Sequence, residues 1–124
     1  LKTREQWRPF APAVLLDDVN SYFEGLPNES PFMLFTGKVC TNELPAITHV
    51  DGSSRVQTVT KEVGGLYGIL NHLKKIAGIS VVLNTSFNGP GEPIVETPKE
   101  AINFLLSSTL DVLFIEGKRI TNCC

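Results

Sequence analysis

The sequence lacks the features that mark membrane, secreted or nucleic-acid-binding proteins. No apolar run approaches the roughly 20 residues that a membrane-spanning helix needs. The formal net charge of −2 gives no general attraction to nucleic acid or to an anionic membrane. The first four residues begin a polar stretch without the pattern of a signal peptide, and the first is not methionine. We therefore expect a fragment of a longer, non-membrane protein.

Cysteine is scarce, and its placement excludes two further classes. The three cysteines are Cys40, Cys123 and Cys124, so one thiol must stay unpaired and no disulfide framework is predicted. A CxxC pair is absent, which removes the usual basis for structural zinc. This cysteine usage predicts a reducing, cytoplasmic environment.

Familiar catalytic signatures are missing as well. The sequence has no GxxxxGK[ST] phosphate-binding loop and no local signature of a Ser/His/Asp or Cys/His nucleophile. It does have 42% hydrophobic and 19% charged residues over 124 positions, as in an ordinary globular protein. Length and composition predict a single domain over residues 1–124.

Apolar periodicity and turn residues predict alternating strands and helices. An acidic cap opens a short helix, Gly78 ends a long one, and a capping box at Thr97 and Glu100 begins another. This alternation predicts an α/β fold with a mixed, twisted sheet and flanking helices. The predicted elements are an extended edge segment at 7–16, helices at 17–23, 63–77 and from 98, strands at 31–38, 46–50, 79–83 and 110–115, a hairpin formed by 55–60, and a turn or tail at 117–119.

The helices are also predicted to carry inward apolar stripes. The first stripe is placed on the helix at 63–77, and the second on the helix that follows Thr97. The stripe residues are Val63, Leu66, Ile69, Leu70, Leu73, Ile76 and Ala77 in the first helix, and Ala101, Ile102, Leu105 and Leu106 in the second.

Basic residues cluster at the start of the sequence. If this stretch is extended, Lys2 and Arg4 point to the same face, about 7 Å apart by strand rise, and Arg8 follows nearby. Two cations on one face suit a phosphate or polyphosphate. They equally suit a solvated edge strand whose charges oppose aggregation, and the residues alone leave both interpretations open.

The stretch NTSFNGPGEPIV, residues 84–95, follows an apolar run and is rich in small polar residues. Ser86 and Asn88 alternate on one face, while Gly89 and Gly91 allow close approach of a ligand to the backbone. Hydroxyl, amide and backbone N–H groups can together hold phosphate oxygens at the carboxyl end of a strand. A simple turn would also use Asn and Gly here, so both alternatives stay open.

A third polar cluster lies in the middle of the chain. His49 and Asp51 are predicted to share one strand face, and Arg55 and Gln57 a face of the returning strand. Such a lining could serve a nucleotide or an acyl phosphate. A lone His-x-Asp is more often a hydrogen-bonded structural pair than a metal site, so no metal is predicted.

Four blocks of this sequence, in order, resemble one known family. They are KTREQWRPFAPAVL, SPFM, PAITHVDGSSRVQTV and VVLNTSFNGPGEPIVETPKEAI, and they cover nearly the whole chain. Together they resemble the C-terminal domain of NodU/CmcH-type O-carbamoyltransferases, enzymes of nodulation-factor and antibiotic decoration. The resemblance implies a YrdC-like fold, a twisted α/β domain that makes acyl-adenylates.

The same resemblance implies a site and a reaction. Lys2 and Arg4 match the family's Lys-x-Arg pair, and Ser86 and Asn88 match its Ser-x-Asn pair, facing a shared nucleotide site. The first pair would act in catalysis, and the second would hold nucleotide phosphates. The implied reaction forms carbamoyl-adenylate from ATP and carbamoyl phosphate, assisted by Mg²⁺.

Further roles are implied around this site. Arg55 would help to bind carbamoyl phosphate, and Arg8 either assists or packs against the sheet. The acceptor hydroxyl would be carbamoylated by a larger, metal-binding N-terminal domain related to sugar kinases, which this sequence does not contain. The alternatives are a nucleotide-binding module without catalysis of its own and an RNA-binding YrdC-like module. The acidic balance opposes RNA binding.

Overall fold

The computed structural model describes residues 10–121, and within them the α/β class is confirmed. The strands form three small sheets rather than one continuous sheet. Residues 10–85 and 86–121 make two compact units, each described separately below. The elements are β1 (Ala11–Leu15), α1 (Val19–Tyr22), β2 (Phe23–Glu24), β3 (Thr36–Val39), β4 (Ser53–Arg55), β5 (Gln57–Val59), α2 (Gly65–Ala77), β6 (Val81–Asn84), α3 (Pro98–Ser107), β7 (Val112–Ile115) and β8 (Lys118–Thr121).

Strand β1 is the centre of the mixed sheet in the unit of residues 10–85. The strand order is β5-β1-β6, with β1 parallel to β5 and antiparallel to β6. The predicted edge position of this segment is therefore wrong. Pro12 suggested an edge because it lacks a backbone N–H. Pairing with β5 begins only at Ala13, so Pro12 lies beside one neighbouring strand, where its missing donor is tolerated.

The two faces of β1 build two cores. Val14 packs into a cluster with Phe23 and Val56, whereas Leu15 packs on the opposite side with Leu70 of α2. The alternation follows from the two-residue period of a strand, and every β1 side chain is buried. The sheet is thus covered on both faces, which is why β1 reads as a continuous apolar run.

Two predictions for residues 46–60 are wrong. Residues 46–50 do not form a strand, because Pro45–Ile47 is a 3-10 turn that Pro45 begins. Residues 55–60 do not form a hairpin with that segment. Instead β4 pairs antiparallel with β3, the fully buried Val56 follows, and β5 then pairs with β1 in the other sheet.

Helix α2 confirms the prediction of a long helix that ends at Gly78. That glycine has φ 74°, a left-handed conformation that commonly ends helices because glycine has no Cβ to clash. Leu70 is fully buried, but Ile69 and Ile76 are 59% and 70% exposed. The predicted inward stripe is therefore too wide, since only a narrower arc of the helix meets the sheet. No helix in the described range 10–121 is long and apolar enough to cross a membrane.

The unit of residues 86–121 is one helix packed on a two-stranded hairpin. The predicted capping box is confirmed, since Thr97 Oγ1 accepts from the Glu100 N–H and the Glu100 carboxylate accepts from the Thr97 N–H. Ala101 and Leu105 are buried with Leu113, whereas the predicted inward residues Ile102 and Leu106 are 37% and 62% exposed. A hairpin two strands wide covers only one side of the helix.

The end of the chain carries a strand that the sequence did not predict. Residues 118–121 form β8, which pairs antiparallel with β7. Glu116 and Gly117 connect the two strands with φ 46° and 72°. Two positive φ values are typical of a type I′ turn, whose twist suits a hairpin. The predicted turn at 117–119 is therefore shorter, and the tail is a strand.

Candidate functional site

The loop that follows β6 is shaped by its own side chains. Ser86 Oγ donates a hydrogen bond to Asn88 Oδ1 over 2.6 Å. Asn88 Nδ2 in turn donates to the carbonyl oxygens of Gly89, at 3.2 Å, and Glu92, at 2.9 Å. The sequence prediction that these two residues hold phosphate oxygens stays a prediction. In the structure, however, the Asn88 amide holds the loop closed, while the Ser86 side chain stays exposed.

One of the two glycines in this loop is required by its backbone conformation. Gly91 has φ 73°, which a residue with a side chain rarely adopts. A Cβ on Gly89 would meet only the Glu92 carboxylate, the far end of a flexible side chain that can move aside. The backbone bond from Val95 N–H to Phe87 O, 2.9 Å long, closes the base of the loop. Gly91 thus serves the turn itself.

The surface beside the loop is acidic. Within residues 86–121 a cleft borders Glu92 and Glu100, and the pKa of Glu100 is lowered by hydrogen bonds from the backbone N–H groups of Glu96 and Thr97. Glu100 therefore stays ionised at neutral pH. A phosphate on this side would meet carboxylates, so the Ser86 side of the loop is the better approach for an anion.

Arg55 is the predicted cation that the structure does describe. It ends β4, is exposed and lies opposite Thr36 of β3. Arg55 belongs to the unit of residues 10–85, whereas Ser86 and Asn88 belong to the unit of residues 86–121. The other predicted cations, Lys2, Arg4 and Arg8, lie outside the described residues.

His49 and Asp51 do not share a strand face as predicted. They lie in a tight turn in which His49 Nδ1 and Asp51 Oδ1 are 3.7 Å apart. Asp51 Oδ1 also accepts hydrogen bonds from the hydroxyl of Ser53, at 2.6 Å, and from its backbone N–H, at 2.9 Å, and these lower the pKa of Asp51. The pair thus stabilises a turn. Residues 10–121 contain no group of three or more His, Cys, Asp or Glu side chains placed to hold a metal ion.

A side-chain hydrogen bond between Asn84 and Gln57 was not predicted from the sequence. Asn84, the last residue of β6, donates from Nδ2 to Gln57 Oε1 over 2.7 Å, and Gln57 Nε2 donates to the Pro31 carbonyl over 3.1 Å. The bridge crosses β1, where Ala11 and Ala13 pair with Asn84 and Gln57 and leave room for the longer side chains. The sequence does show an amide side chain at the start of β5 and another at the end of β6. That these two amides meet could be predicted only with the strand order β5-β1-β6.

Comparison with known proteins relates the chain to carbamoyltransferases and nodulation proteins. A sequence profile described as "Carbamoyltransferase C-terminus" matches residues 1–122. The chain is 43% identical over 122 residues to nodulation protein NolNO of Sinorhizobium fredii, an alignment that covers 93% of the chain and 18% of that protein. It is also 43% identical over 122 residues to nodulation protein NolO of Bradyrhizobium diazoefficiens, covering 93% and 22%.

A relative named for its reaction extends the comparison. Over 105 residues the chain is 35% identical to the 3'-hydroxymethylcephem-O-carbamoyltransferase of Amycolatopsis lactamdurans, covering 82% of the chain and 20% of that protein. The chain spans about a fifth of the length of these relatives. The family resemblance drawn from the four sequence blocks is confirmed. This chain belongs to the carbamoyltransferase C-terminus family.

Proposed function

We propose that this chain is the adenylate-forming part of an O-carbamoyltransferase. The observation that carries the proposal is the family match over residues 1–122, together with relatives named as carbamoyltransferases. The proposed activity is partial, because the chain corresponds to about a fifth of such proteins. A YrdC-like fold and a cytoplasmic location belong to the same proposal.

The proposed reaction joins ATP and carbamoyl phosphate. Carbamoyl phosphate is hydrolysed to carbamate and phosphate, and a carbamate oxygen then bonds to the α-phosphorus of ATP as the bond to pyrophosphate breaks. One water is consumed, and the products are carbamoyl-adenylate, pyrophosphate and phosphate. The difficulty is repulsion between anions, which placed cations and N–H donors offset. Mg²⁺ would enter with the nucleotide phosphates, which need no dedicated protein cage.

Ser86 and Asn88 have different proposed roles in the loop. Ser86 is exposed, and its hydroxyl would donate to a phosphate oxygen of ATP by turning away from Asn88 Oδ1, which accepts its single O–H in the structure. Asn88 fits a positioning role better, because its amide ties the loop to the carbonyl oxygens of Gly89 and Glu92. Lys2 and Arg4 would neutralise phosphate or carbamoyl oxygens. These last two assignments rest on the resemblance, since both residues lie outside the described range.

Two further arginines have proposed roles. Arg55 is an exposed cation at a strand end and would help to bind carbamoyl phosphate. Arg8 would assist at the same site or pack against the sheet. The carbamoyl group would then pass to an acceptor hydroxyl in a sugar-kinase-like N-terminal domain, in the decoration of a nodulation factor or an antibiotic. Enclosure between the two domains would protect the adenylate from water.

Calorimetric titrations with ATP and Mg²⁺ and, separately, with carbamoyl phosphate test the binding half of this proposal. Ser86→Ala should weaken ATP binding and Arg55→Ala should weaken carbamoyl phosphate binding, each by about ten- to a hundredfold for a charge-assisted contact. Ser21→Ala and Arg119→Ala are matched controls, because they make the same changes at other exposed positions. Wild-type affinity in both test variants would show that the proposed site is wrong.

A product assay tests the chemical half. The chain is incubated with ATP, Mg²⁺ and carbamoyl phosphate, and pyrophosphate release and the AMP-containing product are followed. We expect both, without carbamoylation of any sugar or antibiotic hydroxyl. Tight ATP binding without pyrophosphate release would instead indicate a nucleotide-binding module. A carbamoylated acceptor formed by the chain alone would contradict the division of labour between two domains.

A further inference from the structure

A short apolar segment in the unit of residues 10–85 is exposed to solvent. Residues 32–35 read Phe-Met-Leu-Phe, and the side chains of Phe32, Leu34 and Phe35 are 78%, 74% and 48% exposed. Met33 between them adopts φ 55°, the left-handed region that a residue with a long side chain seldom occupies. Single exposed apolar residues are ordinary, but three in four consecutive positions form a contiguous patch. We call residues 32–35 the apolar segment.

The backbone around the apolar segment is held in place. Before the segment, the Ser30 N–H donates to Thr58 Oγ1 and the Ser30 hydroxyl donates to the Val56 carbonyl, each over 2.8 Å, and Ser30 is buried. The Thr58 N–H donates back to Ser30 O at 2.9 Å. At the other end, the Val56 N–H donates to Phe35 O at 3.3 Å. The apolar segment is therefore anchored at both ends to the buried residues beside β5.

An anchored backbone that presents large apolar side chains to water is the arrangement of a binding surface. The buried Ser30 hydrogen bonds hold the backbone in this path, and losing them would be unfavourable because buried polar groups need partners. A preformed surface also loses little conformational freedom when a partner binds. The exposed side chains are thus ready for burial against another surface.

We propose that the apolar segment is the docking surface for the N-terminal part of the carbamoyltransferase polypeptide. The choice of partner rests on the proposed function and on the family comparison, in which about four-fifths of each relative lies outside the region matched by this chain. A C-terminal part of this size must meet the rest of its protein across some surface. Contacts between domains of one chain commonly bury 600–1,500 Å².

The size of the apolar segment favours this partner over a second copy of the chain. Its three exposed side chains offer roughly 400 Å², judged from the area of aromatic side chains and their exposed fractions. A stable complex of separate proteins usually buries about 800 Å² on each partner, so the segment alone is too small for a dimer. Linkage within one polypeptide gives an effective concentration of about millimolar, and a small patch then suffices.

Docking at this place would also affect the proposed site. Thr36 directly follows the apolar segment and pairs with Arg55 across β3 and β4. A domain seated on Phe35 would therefore lie beside the Arg55 cation and could limit the access of water to it. The docking surface and the proposed carbamoyl phosphate contact are thus neighbours within one unit.

The test uses the full polypeptide of the same reading frame, in which this chain stays linked to the part encoded upstream of residue 1. Hydrogen exchange with mass spectrometry compares the wild type with the double variant Phe32→Ser/Leu34→Ser, each against the isolated chain. In the wild type, the backbone amides of residues 32–39 should exchange more slowly in the full polypeptide than in the isolated chain. Losing two anchor side chains should weaken the contact about thirtyfold or more, so this protection should be lost in the double variant. Val50→Ser is the matched control, because Val50 is 88% exposed and lies beyond the opposite end of the β3–β4 pairing. We expect it to keep the protection of the wild type.

Each other result overturns the proposal. A reading frame without an upstream polypeptide removes the partner. Unchanged protection in the double variant, or equal loss in Val50→Ser, shows that the apolar segment is not the specific surface. Sedimentation of a wild-type dimer that the double variant abolishes would identify a second copy as the occupant.

The test is independent of the proposed chemistry. The double variant should keep wild-type ATP affinity in the isolated chain, since neither residue belongs to the proposed nucleotide site. Absence of ATP binding together with intact docking would refute the proposed function alone. ATP binding with no effect of the double substitution on docking would refute the docking surface alone.

Discussion

Leu105→Ala should unfold most of the unit of residues 86–121. The Leu105 side chain is fully buried in the core that α3 forms with β7 and β8, and within residues 86–121 it shares this core with the buried Ala101 and Leu113. Removing a buried leucine side chain to alanine costs about 2–5 kcal/mol. At about 0.05–0.15 kcal/mol per residue, a unit of this length is stable by roughly 2–5 kcal/mol. The substitution therefore removes most of the free energy of unfolding of this unit.

The neighbouring leucine supplies the control. Leu106→Ala makes the same chemical change on the same helix, but Leu106 is 62% exposed, so we expect a change within about 0.5 kcal/mol. Hydrogen exchange with mass spectrometry can follow the two units separately. In Leu105→Ala, amides of α3, β7 and β8 should lose protection, while those of β1 and α2 keep it. Equal loss of protection in Leu106→Ala would refute the assignment of the buried face.

Three further predictions follow from local contacts. The Lys74 ammonium donates to Asp18 Oδ1 over 2.7 Å and lowers the pKa of Asp18 from its ordinary 3.8, so this stabilisation is present above pH 3.8 and lost as pH falls through the folded value. Thermal melts of Asp18→Asn and the wild type should therefore differ at pH 5, and the difference should shrink as the pH falls below 3.8. Thr97→Ala removes the helix cap and should lower the free energy of unfolding by about 1 kcal/mol in urea titration, and no change would contradict the cap. Gly37→Ala should destabilise by about 1–3 kcal/mol, because its Cβ would lie 2.9 Å from the Glu24 carbonyl oxygen, whereas Gly68→Ala, with open space in α2, should stabilise by up to about 1 kcal/mol; melting shifts of the same sign would refute this pair.

Local signals predicted the helices well. The end of α2 at Gly78 and the start of α3 at Thr97 depend on backbone conformation and capping contacts within a few residues, which the sequence carries directly. Exposure of single side chains was less predictable. Ile76 and Leu106 lie at apolar positions of their helices, but the width of the sheet or hairpin beneath decides which of them are covered.

The sheet and the site depended on long-range pairing. Nothing adjacent to Pro12 in sequence says that it lies in a central strand, because tolerance of that proline depends on where β5 begins to pair. The spacing of Ser86 and Asn88 predicted a shared face, but their hydrogen bond and the bracing of Asn88 against Glu92 depended on the path of the loop. The roles of Lys2 and Arg4 stay predictions.

The central position of β1 has a consequence for synthesis on the ribosome. Its partners in β5 and β6 follow about 40 and about 70 residues later in the chain, as the pairs Ala13–Gln57 and Ala11–Asn84 show. At about 5–20 residues per second, β1 waits roughly 4–15 s before both neighbours have been translated. During that interval a strand whose side chains are all destined for burial is without its sheet. The nascent chain thus exposes a strand destined for full burial before its partner strands exist, which makes it a natural client for a ribosome-associated chaperone.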